Sequence, residues 1–357
     1  MGTFLSEMPV GYANEVIDEN AKRQASKLDG ELGGLPVVFS TPETGFAAGG
    51  VLIYVPPKLF NRADPVITGV MYTEQNQFLW AIGTRQTVSK SGLALVGYAE
   101  VLDYPLRFFG VGADTREENA MIVGEKRHLV QAGVLLPPKF GWQLGINYKY
   151  RNDQFTVDDQ KKSNLDFTQF RGSEGGVQKG IGFSLVKETT DNVFYPNRGV
   201  NIQIGYWDYR EDFGTAFPYT YLFVDARSYY KLSKRWISAN RVVWRNYRGG
   251  VTFYEIPKLG GHDLLRGYFK GRYRDRQLLI AETEARYRLS KSFAAVAFAG
   301  LGAVAHETSA FSAKEVLPSY GGGLRYQITP KQKINLRVDI GVGKGDPQFY
   351  LYVLEAF

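Results

Sequence analysis

The stretch Trp142-Gln143-Leu144-Gly145-Ile146-Asn147-Tyr148-Lys149-Tyr150-Arg151 puts Trp142, Leu144, Ile146, Tyr148 and Tyr150 at every second position, with Gln143, Gly145, Asn147, Lys149 and Arg151 between them. Successive side chains of a β-strand point to opposite faces, so a period of two makes a strand with one apolar and one polar face. The pattern returns at 334–342, where Ile334, Leu336, Val338, Ile340 and Val342 oppose Asn335, Arg337, Asp339 and Gly341. In 219–230, Leu222, Val224 and Ala226 oppose Asp225 and Arg227. Charges on the second face suit a barrel with a polar lumen, although a soluble sandwich in bulk water would alternate in the same way.

Composition narrows the class. The chain has 357 residues, including 23 Tyr, 23 Phe and 40 Gly, with short aromatic runs between turn signals, so it reads as all-β. Its mean hydropathy of -0.25 fits a soluble protein and equally a membrane barrel, whose lumen-facing residues lower the average. No run of 18 apolar residues exists, so a transmembrane helix is not expected. The net charge of +7 is spread singly along strands rather than clustered, which argues against nucleic acid as a partner. Without cysteine there is no disulfide or thiolate site, and His128, His262 and His306 lie far apart, so neither a metal nor any other cofactor is expected. Met1-Gly2-Thr3-Phe4 begins no recognisable signal peptide, and an exported chain of this sequence would be a mature form.

The connections distinguish barrel from sandwich. Short turns at 89–92, 137–139, 232–234, 290–291 and 329–331 alternate with longer loops near 104–118, 153–177, 249–276 and 305–317. Short turns at one end and long loops at the other are the pattern of an outer-membrane barrel. The expected strands lie near 35–41, 44–55, 65–74, 77–88, 93–103, 119–136, 140–152, 178–188, 199–211, 219–231, 235–247, 277–289, 293–304, 318–328, 332–343 and 349–357. That is a 16-stranded antiparallel transmembrane β-barrel over residues 35–357, with 1–34 as a short helical or disordered lead-in.

Two further stretches stand out. Gly260-Gly261-His262-Asp263-Leu264-Leu265-Arg266-Gly267-Tyr268 is a glycine-rich loop between strands, and its Arg266 is either a solvated charge or a group aimed into the barrel. The chain ends Phe349-Tyr350-Leu351-Tyr352-Val353-Leu354-Glu355-Ala356-Phe357, with Phe349, Leu351, Val353 and Phe357 expected on one apolar face.

Several motifs together resemble the BamA/TamA superfamily, the bacterial surface antigen type. Leu265-Arg266-Gly267-Tyr268 after Gly260-Gly261 is similar to that family's (Val/Ile)-Arg-Gly-(Phe/Tyr) signature on a loop that folds into the lumen. Asp191-Asn192-Val193-Phe194-Tyr195-Pro196-Asn197-Arg198-Gly199 resembles its periplasmic turn, with Asp191, Asn192, Pro196, Arg198 and Gly199 matching. The terminal Phe357, with Phe349, Leu351 and Val353, looks like the family's C-terminal insertion signal, read by the barrel-insertion machinery. The resemblance implies a bacterial outer-membrane protein in contact with lipid, not an enzyme. It would move or insert a polypeptide client, or a lipid, through a weak seam between first and last strands.

The sequence departs from that family twice. No POTRA repeat fits into 34 residues, which resembles a branch without them and leaves open a structural barrel that anchors a periplasmic partner, or a passive pore. The family's Phe-x-Asp-x-Gly run is here Phe298-Ala299-Gly300-Leu301-Gly302, so its aspartate is absent. A confined arginine needs an ionic partner. With Leu279, Ala281, Thr283, Ala285 and Tyr287 outward, Glu282, Glu284, Arg286 and Arg288 face the lumen, and Glu284 is the expected partner of Arg266, ahead of Glu282 and Asp339. Alternatively Glu284 pairs only with neighbours such as Arg286. His262 and Asp263 are the only candidates for chemistry, no serine arrangement accompanies them, and no catalytic residue is assigned.

Overall fold

Strand pairing is continuous around the molecule. The computed structural model describes residues 31–57, 64–157, 165–192, 194–329 and 333–357, so the lead-in lies outside the described residues up to position 30. The first half of the chain forms β1 (Glu31–Thr41), β2 (Gly45–Val55), β3 (Val66–Thr73), β4 (Phe78–Thr87), β5 (Ala94–Phe108), β6 (Met121–Leu135), β7 (Trp142–Val157) and β8 (Gly176–Glu188). The second half adds β9 (Gly199–Tyr209), β10 (Tyr219–Lys231), β11 (Trp236–Gly249), β14 (Gln277–Arg288), β15 (Phe293–Ala305), β16 (Leu317–Thr329), β17 (Ile334–Val342) and β18 (Gln348–Val353). These sixteen close into one antiparallel barrel, while β12 (Lys258–Leu259) and β13 (Tyr273–Arg274) pair separately inside the loop between β11 and β14.

Faces follow the alternation where it is clean. On β7, Leu144, Ile146 and Tyr148 are exposed to the outside while Asn147 and Arg151 are buried within. On β14, Leu279 is exposed outside and Glu282, Glu284 and Arg286 are buried inside.

The structure corrects the expected plan in four places. First, β1 begins at Glu31 rather than at 35 and pairs residue for residue with β2 from Glu31↔Val55 to Thr41↔Gly45. Second, the short-long alternation is not strict. The β1–β2, β3–β4 and β17–β18 connections at the long-loop end span only 42–44, 74–77 and 343–347, while the β2–β3 and β8–β9 connections at the other end are longer.

Third, β18 stops at Val353. Leu354 takes φ +81°, which turns residues 355–357 out of the sheet and into the lumen, where Phe357 packs with Tyr229, Ala239 and Ala356. The ionic pull of Arg325 on Glu355 gives this inward turn a physical cause.

Fourth, the lumen is not polar all round. Phe39, Ala47, Met71, Leu79, Ala81, Leu102 and Leu129, from β1 to β6, form one apolar cluster with Tyr352. Period-two reading misses this because segments such as Gly45–Val55 are apolar on both faces, leaving no contrast to detect.

The seam is thin. β1 and β18 share the single register pair Ser40↔Leu351, against eleven pairs between β1 and β2.

Candidate functional site

The loop from 250 to 276 enters the barrel and is seated by its glycines. Gly260, Gly261 and Gly267 have φ of +99°, +101° and +104°, backbone conformations that side chains rarely tolerate. The Gly261 N–H donates to the Tyr268 carbonyl at 2.9 Å, closing the loop on itself. A Cβ at Gly341 of β17 would stand 2.7 Å from the Gly267 nitrogen, so a glycine on each side lets loop and wall backbones touch. Leu264, Leu265 and Tyr268 then pack with Val243, Leu278, Ile280, Val304 and Leu317 of the wall.

This docking delivers Arg266 to a pair of carboxylates. Its guanidinium donates to Asp339 Oδ2 at 2.6 Å and to Glu284, and lies 3.6 Å from the Phe298 ring centre. Glu284 also accepts from Arg286 Nε at 2.9 Å, so it binds its neighbour as well as the loop arginine, and the reading in which it pairs with neighbours alone does not hold. Glu282 takes a different role, accepting the Leu265 N–H at 2.9 Å. Gly300 explains the missing aspartate: a Cβ there would come within 2.9 Å of Leu265 Cδ1, so the position is filled by the loop's leucine.

The ion pairs continue as a ladder down the wall. Asp339 binds Arg325, whose Nε donates to Glu355 at 2.7 Å, and Asn335 donates to the other Glu355 oxygen at 2.8 Å. Arg286 Nη2 donates to the Phe357 carbonyl at 2.7 Å. Arg337 Nη2 donates to the His262 carbonyl at 3.0 Å, and the His262 ring stacks on Tyr352 at 4.1 Å. The loop is thus tied to β14 and β17 by buried charge pairs, which are strongly destabilising to break singly, and to β18 by the His262–Tyr352 stack, while the tail is tied to β16 through Arg325. His262 and Asp263 serve this docking through their carbonyls, that of Asp263 accepting from Arg241 at 2.7 Å.

The other motif residues are placed apart from this loop. In the β8–β9 connection, Asp191 accepts from the Asn197 and Arg198 N–H groups at 2.8 and 3.2 Å, and Asn192 accepts from those of Phe194 and Tyr195. Gly199 takes φ +108°, and a Cβ there would meet the Thr189 carbonyl at 2.4 Å. Pro196 and Arg198 complete the turn, and Tyr195 reaches inward to lie 5.4 Å from the Arg286 guanidinium. Phe349 faces outward and is exposed, Leu351 and Val353 share its face, and Phe357 does not. Sequence reading did not single out Arg325, Ser319 or Tyr350. Ser319 donates to the Arg266 carbonyl and Tyr350 accepts the Gly267 N–H at 3.0 Å, roles that periodicity cannot signal.

A closed sixteen-stranded barrel with a glycine-seated arginine loop locked to its lumen wall defines a recognisable class of outer-membrane protein. The Omp85 superfamily domain matches residues 97–349, well over half of the sequence, and the chain belongs to that superfamily. The family and the fold together imply a bacterial outer-membrane setting. Among solved structures, BamA from Haemophilus ducreyi lacking POTRA domains 1-3 is similar with a TM-score of 0.65 at 13% identity, over 91% of this chain and 70% of that one. CdiB from Escherichia coli gives 0.63 at 12% identity, over 92% and 63%. CdiB from Acinetobacter baumannii gives 0.59 at 13%, over 92% and 60%, so the chain spans under two thirds of both CdiB chains. No curated protein matches. At these identities the likeness concerns the fold, and the described residues contain no POTRA domain.

Proposed function

We propose that this barrel moves or inserts a polypeptide, or a lipid, across or into the outer membrane through the seam between β1 and β18. The observation that carries this reading is the single Ser40↔Leu351 pair, where every other neighbouring strand pair is joined by a long ladder. An unpaired strand edge is expensive in lipid. A seam already short of hydrogen bonds therefore opens at less cost than any other. In this reading the Arg266 loop holds β14 to β17, the wall on the β18 side of the seam, rigid while β1 moves. The outward Phe349, Leu351 and Val353, with Phe357, act as the signal read by the insertion machinery, the β8–β9 connection is periplasmic, and no catalytic step is involved.

The test is a lock. Ser40→Cys with Leu351→Cys introduces thiols at directly opposed ladder positions, whose Cα spacing of about 4.5 to 5.5 Å lies within disulfide range. The oxidised barrel is expected to remain folded, judged by heat-modifiable mobility, and to lose client insertion or transport that reduction restores. Unchanged activity of the fully oxidised form would favour a barrel that anchors a periplasmic partner instead.

A further inference from the structure

The apolar lumen wall beside the seam does not end in bulk water. It borders a cavity of 150 Å³ whose near side is Phe39, Met71, Leu79, Leu102 and Tyr352 and whose far side is the base of the loop, with Lys258 and Arg274. Arg274 is 1% exposed, its Nη1 has no hydrogen-bond partner, and its other nitrogens reach only the Gly271 carbonyl at 3.3 and 3.4 Å. The four other arginines buried as deeply, Arg266, Arg286, Arg325 and Arg337, each lie within 4 Å of a carboxylate. Arg274 has no such partner among the described residues.

Its cross-strand neighbour makes the imbalance worse. Lys258 stands directly opposite Arg274 on the β12–β13 ladder, and like charges so placed repel. Of the two carboxylates that border the cavity, Glu125 is shared among Arg127, Arg151 and the nearby Lys258, and Glu43 accepts the Lys270 N–H at 2.6 Å, so neither is paired with Arg274. The Arg274 guanidinium lies over the Phe108 ring at 4.9 Å, which offsets part of its burial but supplies no anion; a buried cation without a counter-charge is costly, and an arginine fork matches a phosphate in charge and shape.

We propose that this cavity is a binding site for an anionic amphiphile: a phosphate-type head group held by Arg274 and Lys258, carried on an acyl chain that runs along the Phe39–Leu102 wall. The volume supports this division, being smaller than the roughly 300 to 1,000 Å³ of pockets for drug-sized ligands. It admits a head group and the first methylenes, and the remainder of the chain reaches lipid when the packed Phe39 and Tyr352 rings part. Those rings meet at 5.1 Å, immediately beside the Ser40↔Leu351 pair. The charge selects the head, and the continuity of the apolar wall with the seam selects a lipid-borne anion over a free one.

The test uses the full chain in nonionic detergent, with the thermal unfolding midpoint followed as dodecyl phosphate, inorganic phosphate or dodecyltrimethylammonium is added. Dodecyl phosphate is expected to raise the midpoint saturably, while the other two leave it unchanged at equal concentration. Lys258→Met and Arg274→Met, which keep length and lose charge, are each expected to weaken the apparent affinity at least tenfold. Should Arg274→Met fail to fold, Lys258→Met carries the comparison. An equal response to inorganic phosphate overturns the lipid assignment, and an undiminished response in Lys258→Met overturns the site. Binding that emerges only after removal of residues 1–30 assigns the wall to the chain's own N-terminal segment and overturns it as well. The readout is equilibrium binding, so its outcome is independent of whether the seam passes a polypeptide.

Discussion

Arg266 is held by two carboxylates, each of which has a second arginine, and this sharing sets what single substitutions do. Arg266→Ala leaves Glu284 with Arg286 and Asp339 with Arg325, while Glu284→Ala leaves Arg266 with Asp339. Each single change is expected to lower the unfolding midpoint. The Arg266/Glu284 and Arg266/Asp339 double mutants are expected to lose less than the sum of their singles, by about 0.5 to 3 kcal/mol of coupling. Additive losses would mean the ion pairs do not act as a unit. Gly300→Asp, which restores the family's aspartate, is expected to destabilise the loop by about 1 to 3 kcal/mol, because its Cβ meets Leu265 Cδ1 at 2.9 Å and Glu282 Cγ at 3.0 Å. A rise in midpoint would show that the loop can shift to accept it. The sequence pointed to Arg266, Glu284 and Asp339 as lumen groups. That all three meet could not be read from it, because β14 and β17 are separated by two strands, β15 and β16, and only the curvature of the wall around the lumen turns their side chains toward one point.

At the level of elements, clean alternation fixes which side chains meet lipid. Ile146→Arg on the outside of β7 is expected to impair membrane assembly by about 2 to 4 kcal/mol near mid-bilayer, whereas Gln131→Arg, beside a lumen cavity, is expected to assemble normally. Recovery of both as heat-modifiable barrels would refute the face assignment. The β8–β9 connection carries a pH dependence. Partial burial works against ionisation of Asp191, but its hydrogen bonds from Asn197 and Arg198 hold the carboxyl below the usual carboxylate range. A depressed folded pKa stabilises fully above the unfolded value of about 4 and is lost as pH falls through the lower folded value. The unfolding midpoint of the wild type should therefore fall toward that of Asp191→Asn as pH drops through that window, and a constant difference would exclude Asp191 as the cause. This turn was legible as a motif because its bonds are local in sequence.

Across the whole molecule the lumen divides into an apolar sector beside the seam, from β1 to β6, and a charged sector that grips the loop and the tail. The tail is held in the charged sector through Glu355, bound by Arg325 and Asn335, and through the Phe357 carbonyl, bound by Arg286. Glu355→Gln is expected to speed amide exchange at Ala356 and Phe357 while leaving 261–268 unchanged, since Asp339 retains Arg325 and Arg266. Coupled changes in both segments, measured by hydrogen exchange, would show that the ladder transmits the loss upward.

What the sequence determined by itself is the run of two-faced strands: period two over long segments and turn residues between them follow from local geometry that each stretch carries alone, and their number and spacing over the chain point to a barrel. It also located the loop, because glycines that permit positive φ are visible as glycines. Tertiary structure alone decided three things. Arg266 has two carboxylate partners because the curved wall turns Glu284 of β14 and Asp339 of β17 toward the same inward loop. Glu355 and Phe357 point inward because the buried cations Arg325 and Arg286 attract a carboxylate and a carbonyl more strongly than the last ladder positions hold them. The first strands line the lumen with apolar side chains because both faces of those strands are apolar, and only the pairing around the barrel shows which face turns inward.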